Sequence, residues 1–325
     1  MEKKCSDSYF LGVDIGGTEA KIGLLNGDGE ILERENLSVA FDGYETPILE
    51  TVKKGIGDFI GRIDMPREKL RAIGVSATGA IDSKKGLVAG SGGHIKNWLG
   101  STIKDTLESS YGVPVFVLND ANAAALGEMW RGAARDRENV VVVTIGTGVG
   151  GGVVVDGHIL LGHKGFAGEI GYIKPPFVSD TPLTGRGCYE DYASMSALVR
   201  IVEELANEGS IEQKFASSPN GRMIFDAVKS GDKALENVTE HWIDNIAAGI
   251  VSLVHIFNPE IILIGGGVSA QKELFIDKLR AKVFDNVMDE FKIDLELRAA
   301  ELKNDAGMIG AVKFCIDSIN KCNEC

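Results

Sequence analysis

The sequence predicts an α/β fold built from two related halves, each with a mainly parallel sheet. Apolar runs of strand length alternate with helical patterns along the chain, which favours parallel strands joined by helices. Two glycine-rich hairpins also resemble one another. Gly-Gly-Thr follows Ile15, Gly-Thr-Gly follows Ile145, and an Asn-Gly or Asp-Gly turn stands at the same distance beyond each isoleucine. Such a repeat indicates two similar half-structures, although the common chemistry of hairpins would also produce it.

The first half opens with an apolar strand over Tyr9–Ile15 that reaches Asp14. Residues 16–18 form a glycine-rich turn, residues 21–25 a second strand, and Asn26-Gly27 the next turn. These residues predict a hairpin whose first turn offers backbone N–H groups to a ligand.

A helix follows, with Thr46 as its predicted cap and Pro47 at its first position. Its apolar residues lie at helical spacing on one face: Ile48, Leu49, Val52, Ile56, Phe59 and Ile60. Residues 71–76 then form a strand, and residues 90–98 a loop that is too rich in glycine to be regular. Residues 101–111 are predicted to be a helix that ends at Gly112.

The middle of the chain places polar groups at a strand end. A β-branched run over residues 115–118 delivers Asn119 and Asp120 to its carboxyl end, and an alanine-rich helix begins at once. Open α/β folds place their chemistry at such strand ends. Asp120 begins this helix, where a position as the N-cap would be compatible with a role as a base.

The second glycine turn lies between two strands. Residues 140–145 and 153–155 are valine-rich, and Asp156-Gly157 predicts a tight hairpin turn. The glycines at 146, 148 and 151 formally match a dinucleotide fingerprint, but that motif must open a helix, and here a strand follows. Phosphate oxygens can approach the backbone of such a turn closely, and a bulged hairpin is the alternative interpretation.

The last part of the chain is predicted to be largely helical. Helices are expected over residues 190–206, 232–257 and 306–320, a short strand over 260–264, and irregular structure over 175–187. Gly265-Gly266-Gly267 leads through Ser269, a predicted cap, into another helix. Glycines at such a junction let a flat ligand lie against the backbone or allow close packing. The last helix is expected to return to the first half.

Composition excludes several classes of protein. A net charge of −13 would repel a phosphate backbone, and no basic stripe with aromatic residues is present, so a nucleic-acid partner is not expected. No apolar run reaches the length of a membrane span, and the first residues lack a signal-peptide pattern. Five scattered cysteines argue for a reducing compartment. We therefore expect a cytoplasmic protein, in which Cys322 and Cys325 belong to a frayed tail.

Six motifs in this order resemble the ROK sugar kinases (repressor, open reading frame, kinase) of the actin/hexokinase superfamily. Each is weak alone, but the combination covers nearly the whole chain. The motifs are DIGGT at 14–18, NDANAAALGE at 119–128, GTGVGGG at 146–152, AGEIGY at 167–172, GCYEDYAS at 187–194 and IGGGVS at 264–269.

The resemblance implies two actin-like (ribonuclease H-like) domains with an active-site cleft between them. These would be a small domain of residues 1–120 plus 308–325 and a large domain of residues 121–307. It implies ATP and Mg²⁺ as cofactors, with Asp14 beside the metal, and it also implies a homodimer. The residues implied for phosphates, metal and adenosine are Asp14, Gly16, Gly17, Thr18, Thr147, Gly148, Gly265, Gly266 and Gly267. Those implied for the sugar are Gly79, Asn97, Asn119, Asp120, Glu169, Tyr172 and Glu190.

The residue types suit this chemistry independently. Phosphoryl transfer to an alcohol needs positioning, charge neutralisation and one carboxylate that accepts the hydroxyl proton, a role that Asp120 can fill. Glu169, Glu190 and Asn119 supply the acceptors and the amide that sugar hydroxyls require. Each carboxylate could otherwise be a helix cap or a solvated charge. Lys21 and His94 are interpreted as a surface residue and a loop residue.

The chain departs from the family at its zinc site. Most members have a histidine after GEIG and a CxCGxxGC cluster that together bind a structural zinc, whereas this chain has Tyr172 and, over residues 181–188, only Cys188. One cysteine cannot complete a tetrahedral site, so no zinc is expected. Whether Tyr172 makes the sugar contact of the missing histidine is left open. Related kinases without zinc include β-glucoside kinases and certain N-acetylmannosamine kinases.

Three functions are compatible with these observations. The leading hypothesis is an ATP-dependent hexose kinase that acts on the 6-hydroxyl of glucose, with N-acetylmannosamine or a β-glucoside as alternative substrates. A sugar-sensing repressor would need a winged helix-turn-helix, and only about eight residues precede the first strand. A sugar-binding module or actin-like ATPase is the third possibility, against which Asp120 and the two glutamates argue.

Overall fold

A computed structural model of the chain describes residues 8–63, 65–91, 95–174 and 187–323. Its strands are β1 Tyr9–Ile15, β2 Glu19–Asn26, β3 Ile31–Ser38, β4 Leu70–Ala77, β5 Ala80–Asp82, β6 Leu87–Gly90, β7 Val115–Asn119, β8 Val140–Ile145, β9 Val149–Val155, β10 His158–Ile159, β11 Ile261–Gly265 and β12 Glu296–Ala299. Its α-helices are α1 Ile48–Arg62, α2 Ile103–Tyr111, α3 Asp120–Arg131, α4 Glu190–Ala193, α5 Met195–Asn207, α6 Gly221–Lys229, α7 Lys233–Phe257, α8 Asp277–Asn286, α9 Asp289–Lys292 and α10 Ala306–Asn323.

Two five-stranded sheets share one strand order. The first runs β3-β2-β1-β4-β7 and the second β10-β9-β8-β11-β12, so each begins with a meander and then adds two strands from later in the chain. The predicted repeat of two similar halves is therefore confirmed at the level of topology. The sheets are mixed rather than mainly parallel, because β1–β2 and β2–β3 are antiparallel whereas β1–β4 and β4–β7 are parallel.

Helix α1 confirms the predicted apolar face, since all six of its predicted apolar residues are buried. The predicted cap at Thr46 is wrong. The N-cap is Pro47, and its extended backbone (φ −56°, ψ 137°) comes directly before the helix. Thr46 instead donates its backbone N–H to Asp42 Oδ2 at 2.9 Å. The end of α2 is as predicted, with Gly112 in the left-handed region at φ +70°.

The helix predicted over residues 190–206 is interrupted at Ser194. This residue has an extended backbone (φ −75°, ψ 162°), ends α4 and caps α5 by accepting the N–H of Ala197. Its carbonyl accepts the indole N–H of the buried Trp242 at 2.9 Å. A tertiary hydrogen bond therefore stabilises a break that the apolar pattern did not indicate.

Helix α7 confirms the predicted long helix, which begins after Asp232 and ends at the left-handed Asn258. The predicted role of Ser269 as a helix cap is wrong. This residue lies in a short 3₁₀ turn over Gly267–Ala270, and its hydroxyl donates back to the Gly266 carbonyl at 2.8 Å.

The described residues group into two compact units. One comprises Met1–Asp136, Gly152–Gly168 and Glu301–Cys325, and the other Arg137–Gly151 and Glu169–Ala300. In the first unit α10 packs on α3, β1 and β4, which confirms the predicted return of the last helix. The domain boundaries stay a prediction. No helix in the described part of the chain is long and apolar enough to span a membrane.

Candidate active site

Asp14 is held on both sides at the end of β1. Its register partners are Lys21 on β2 and Ser76 on β4. Lys21 Nζ donates to Asp14 Oδ2 at 3.0 Å, and Ser76 Oγ donates to Asp14 Oδ1 at 2.7 Å. Lys21 Nζ also donates to the Asn304 carbonyl at 3.0 Å. The interpretation of Lys21 as a surface residue is therefore wrong, because the antiparallel register places it on the same face as Asp14.

Lys21→Met is expected to lower the free energy of unfolding by about 1–3 kcal/mol, since it removes two hydrogen bonds and leaves the Asp14 charge without its cation. The side chains of Lys21 and Asp14 are each only 19% exposed, so solvent screens the pair incompletely. Urea unfolding would measure the change. The matched control is Lys233→Met, which removes the ion pair of an 84% exposed lysine with Glu236 and should leave stability unchanged. Equal effects of the two variants would contradict this prediction.

The first glycine turn is held in place by its neighbours. Gly16 donates its N–H to the Glu19 carbonyl at 2.9 Å, Val39 donates to the Thr18 carbonyl at 3.0 Å, and Tyr44 Oη donates to the Gly17 carbonyl at 2.9 Å. Thr18 itself is exposed. The turn therefore lies beside Asp14 in a defined conformation, as a preformed phosphate site requires.

Asn119, not Asp120, caps helix α3. The Asn119 backbone is extended (φ −62°, ψ 149°), and its Oδ1 accepts the N–H groups of Ala121 and Asn122. Asp120 already lies inside the helix as its first residue, with an exposed side chain. The alternative interpretation of Asp120 as the N-cap therefore does not hold. Asp120 Oδ1 also accepts the N–H of Ala121 at 2.8 Å, but the N-cap position belongs to Asn119.

The same asparagine joins α3 to the loop after β4. Asn119 Nδ2 donates to the Gly79 carbonyl at 3.0 Å, and Gly79 has a φ of +101°. The buried Trp98 donates its indole N–H to the neighbouring Thr78 carbonyl at 2.9 Å. Two predicted sugar-site residues, Gly79 and Asn119, are thereby brought together.

Tyr44, a residue that the sequence analysis did not single out, links Asn97 to the first glycine turn. Asn97 Nδ2 donates to the Tyr44 carbonyl at 3.2 Å, and the Tyr44 hydroxyl reaches Gly17. Asn97 and Tyr44 both have positive φ, at 56° and 67°. A Gly-Tyr pair in a loop was the only sequence signal for Tyr44. His94 lies outside the described residues.

The second glycine turn is equally tight. Gly146 donates its N–H to the Gly148 carbonyl at 3.0 Å, and Met195 at the start of α5 donates to the Gly146 carbonyl at 2.9 Å. Thr147 is exposed at the tip. Strand β9 begins at Val149, immediately after the turn, so rejection of the dinucleotide fingerprint is confirmed.

The Glu190 carboxylate packs against this turn. Val149 donates its N–H to Glu190 Oε2 at 3.3 Å. A Cβ built on Gly148 would lie 2.6 Å from the same oxygen, and one built on Gly171 would lie 3.3 Å from it. The absence of side chains at these two glycines makes the space for the carboxylate.

Glu169 and Tyr172 lie in the electrostatic field of Glu190. Desolvation, and then repulsion from the Glu190 carboxylate, raise the pKa of Glu169. Desolvation, and then the charges of Glu190 and Glu169, also raise the pKa of Tyr172, whose side chain is 60% exposed. The second unit therefore brings together three predicted sugar residues, with two carboxylates as hydrogen-bond acceptors and an aromatic ring beside them.

The raised pKa of Glu169 predicts a pH effect on stability. Because the folded-state pKa lies above the ordinary 4.5, the folded chain holds this proton more tightly than the unfolded chain. The stability from protonated Glu169 is thus present below pH 4.5 and is lost as pH rises through the raised pKa. Glu169→Gln, neutral throughout, should gain stability relative to the wild type between about pH 4 and about pH 7.

Urea unfolding at these two pH values would measure the effect. Glu208→Gln, an exposed position in the same unit, controls for the general loss of one negative charge. If Glu169→Gln and Glu208→Gln show the same difference from the wild type at both pH values, the raised pKa of Glu169 has no consequence for stability.

A cavity of about 760 Å³ opens beside the second glycine turn and beside Gly267, which follows β11. The glycine turns contribute Gly146, Thr147 and Gly267 to its lining, and α5 and α6 contribute residues such as Arg200 and Gly221. Gly266, with φ +89° and ψ 164°, adopts a backbone conformation that only glycine readily occupies. A Cβ on Gly266 would overlap the Ile145 carbonyl oxygen. The structure thus places Thr147 and Gly267 at one cavity.

Several residues of this cavity were missed by the sequence analysis. These are Met195, Arg200, Asn220, Arg222 and Gln271. The available signal was Asn220-Gly221, since Asn220 caps α6 by accepting the Met223 N–H at 3.0 Å. Gly221 lets the helix approach α5, because a Cβ there would lie 2.8 Å from Met195 Sδ.

The described residues contain no group of three or more His, Cys, Asp or Glu side chains arranged to hold a metal ion. Cys188 is buried and donates its thiol to Asp191 Oδ2 at 3.4 Å, and burial and this contact raise its pKa. Residues 181–186 lie outside the described part of the chain. The expected absence of zinc stays a prediction.

The fold and its relatives identify the family. Two sheets of one strand order, each opening with a glycine-turn hairpin, form the actin-like hexokinase fold. The ROK family model matches residues 10–318, and the chain belongs to the ROK family. The ROK family glucokinase of Streptomyces griseus, solved with glucose and AMPPNP, superimposes with a TM-score of 0.78 at 30% identity, over 94% of this chain and 99% of that one.

Two relatives represent different functions in this family. The glucokinase of Thermotoga maritima is 33% identical over 318 residues, covering 95% of this chain and 98% of that enzyme. The xylose repressor of Caldicellulosiruptor bescii is 27% identical over 316 residues, covering 95% of this chain and 78% of that repressor.

Proposed function

We propose that the chain transfers the γ-phosphoryl group of ATP to the 6-hydroxyl of glucose, with Asp120 as the general base. The enzyme is a carbohydrate kinase, as its similarity to glucokinases over nearly the whole chain indicates. The observation that carries the proposed mechanism is the position of Asp120. It presents an exposed carboxylate at a strand end, one residue after the asparagine that caps α3.

The residues present fit ATP. The cavity beside the second glycine turn has room for a nucleotide, and the missing side chain at Gly266 lets the backbone approach it. The first glycine turn and the turn at Thr147 and Gly148 would bind phosphate oxygens through backbone N–H groups. Arg200 and Arg222 at the cavity wall would add positive charge.

The carboxylate of Asp14 also fits Mg²⁺. Both Asp14 oxygens already accept a hydrogen bond, so Asp14 would hold the ion together with phosphates and waters, as Mg²⁺ usually requires. When bound, Mg²⁺ neutralises charge on the phosphates. Asp120 would take the proton of the attacking hydroxyl, and Glu169 and Glu190 would accept hydrogen bonds from other hydroxyls of the sugar.

Release of ADP with Mg-ATP tests this function against glucose, mannose, fructose, N-acetylmannosamine, N-acetylglucosamine and cellobiose. Turnover with glucose that Asp120→Asn abolishes supports the proposal. Preference for N-acetylmannosamine or for cellobiose, a β-glucoside, keeps the kinase and changes the substrate. A cytoplasmic location and a homodimer stay predictions.

A second function has one observation in its favour. The chain is 27% identical over 316 residues to a protein named as a xylose repressor, which supports a sugar-responsive regulator as the alternative. Sugar binding in calorimetry without turnover on any sugar of the panel would favour this regulator.

A further inference from the structure

We propose that Glu190 serves two sites at once: it binds the sugar and also positions the phosphate-binding turn, so that sugar and nucleotide binding are coupled through one carboxylate. This inference rests on the proposed function, and it assigns to Glu190 a second role. It concerns contacts within one compact unit, between the turn over residues 146–149, the segment over residues 169–172 and the start of α4.

Glu190 contacts the proposed phosphate turn directly. Glu190 Oε2 accepts the N–H of Val149 at 3.3 Å, directly beside Gly148. A backbone N–H that is satisfied by a carboxylate fixes the peptide plane on which it lies. The orientation of the peptide between Gly148 and Val149 therefore depends on the position of the Glu190 side chain.

Glu190 also lies beside the proposed sugar segment. The same oxygen would lie 3.3 Å from a Cβ on Gly171, and the charge of Glu190 contributes to the raised pKa of both Glu169 and Tyr172. A hydroxyl group that donates to Glu190 would compete for, or share, the lone pairs that face Val149. Binding of sugar would thus change the hydrogen bond that holds the phosphate turn.

The thermodynamic consequence is reciprocal. If sugar changes the affinity for nucleotide through this contact, nucleotide must change the affinity for sugar by the same factor. Disturbing the phosphate turn should then weaken sugar binding even when no nucleotide is present.

Gly148→Ala provides the test, because its Cβ would lie 2.6 Å from Glu190 Oε2. The neighbour is the end of a flexible side chain, so the chain can fold by moving the carboxylate. Gly61→Ala on α1 is the matched control, since a Cβ there would also meet nothing within 4 Å and Gly61 belongs to no proposed binding site. Calorimetry with glucose alone should give a Kd about tenfold weaker for Gly148→Ala, equivalent to one hydrogen bond to a charged group. The Kd of Gly61→Ala should match that of the wild type.

The coupling itself is measured with AMPPNP in the presence and absence of saturating glucose. In the wild type the two Kd values should differ severalfold, and in Glu190→Gln the ratio should approach one. This second measurement stands even if Gly148→Ala fails to fold. Equal glucose affinity in Gly148→Ala and Gly61→Ala, or an unchanged ratio in Glu190→Gln, would overturn the inference and leave the proposed kinase intact. If the wild type binds no glucose and turns over no sugar, the proposed function and this inference both fall.

Discussion

Asp120→Asn is expected to lower kcat by about 10²- to 10⁴-fold while glucose affinity changes by no more than about threefold. The amide has the shape of the carboxylate and can still form hydrogen bonds with a hydroxyl, but it cannot take a proton at neutral pH. Asp120→Asn therefore keeps the position and shape of the side chain but cannot act as a general base. Steady-state ADP release and calorimetry with glucose would measure the two quantities separately.

The chain offers a matched control for this variant. Asp105 is an exposed aspartate in the first turn of α2, as Asp120 is in the first turn of α3, so both substitutions remove a negative charge from a helix N-terminus. Asp105→Asn should retain full turnover. Turnover of Asp120→Asn within tenfold of the wild type would show that another group accepts the proton.

Gly266→Ala is expected to lower the free energy of unfolding by about 3 kcal/mol or more and to remove most nucleotide binding. Its backbone, at φ +89° and ψ 164°, lies in a region that alanine avoids. Its new Cβ would also overlap the Ile145 carbonyl oxygen on β8. The Cβ is fixed to the backbone of residue 266 and the oxygen belongs to the backbone of Ile145, so no side-chain rotation can relieve the overlap. The strand ends beside the cavity proposed for the nucleotide would have to separate.

The adjacent glycine is the control. A Cβ on Gly267 would meet nothing within 4 Å, so Gly267→Ala should stay within about 0.5 kcal/mol of the wild type. Urea unfolding with and without AMPPNP would separate loss of stability from loss of binding, since a ligand that binds the folded state raises its stability by mass action. If Gly266→Ala and Gly267→Ala behave alike, the close approach to Ile145 does not hold this junction.

Local patterns were sufficient to predict most elements. The apolar spacing of α1 and α7, the left-handed residues that end α2 and α7, and the strands β1 and β8 all follow from short-range preferences. These succeed because a helix or strand buries one face at a fixed period. The position of the second glycine turn between two strands was also predictable, since a valine run on each side leaves no room for a helix.

The errors occurred where a side chain from elsewhere in the chain decides the outcome. Ser194 interrupts a helix because the indole N–H of Trp242 donates to its carbonyl. Lys21 is partly buried because the β-sheet register pairs it with Asp14. The cap expected at Thr46 and the alternative of a cap at Asp120 failed for a local reason, since adjacent residues compete for a cap and only the backbone conformation selects one. The cavity residues on α5 and α6 carried no motif that links them to the glycine turns.

The sequence by itself determined the family, the repeated strand and hairpin order, the glycine turns and the residue types of the proposed chemistry, because these depend on residues close together in the chain. Only the tertiary structure decided how single carboxylates are used. Glu190 lies against Gly148 and Gly171, and the fully buried Glu128 accepts N–H groups from Ala133 at 2.8 Å and Leu302 at 2.7 Å. Contacts of this kind join residues far apart in the sequence, and the energy of a buried charge depends on which donors the fold brings to it.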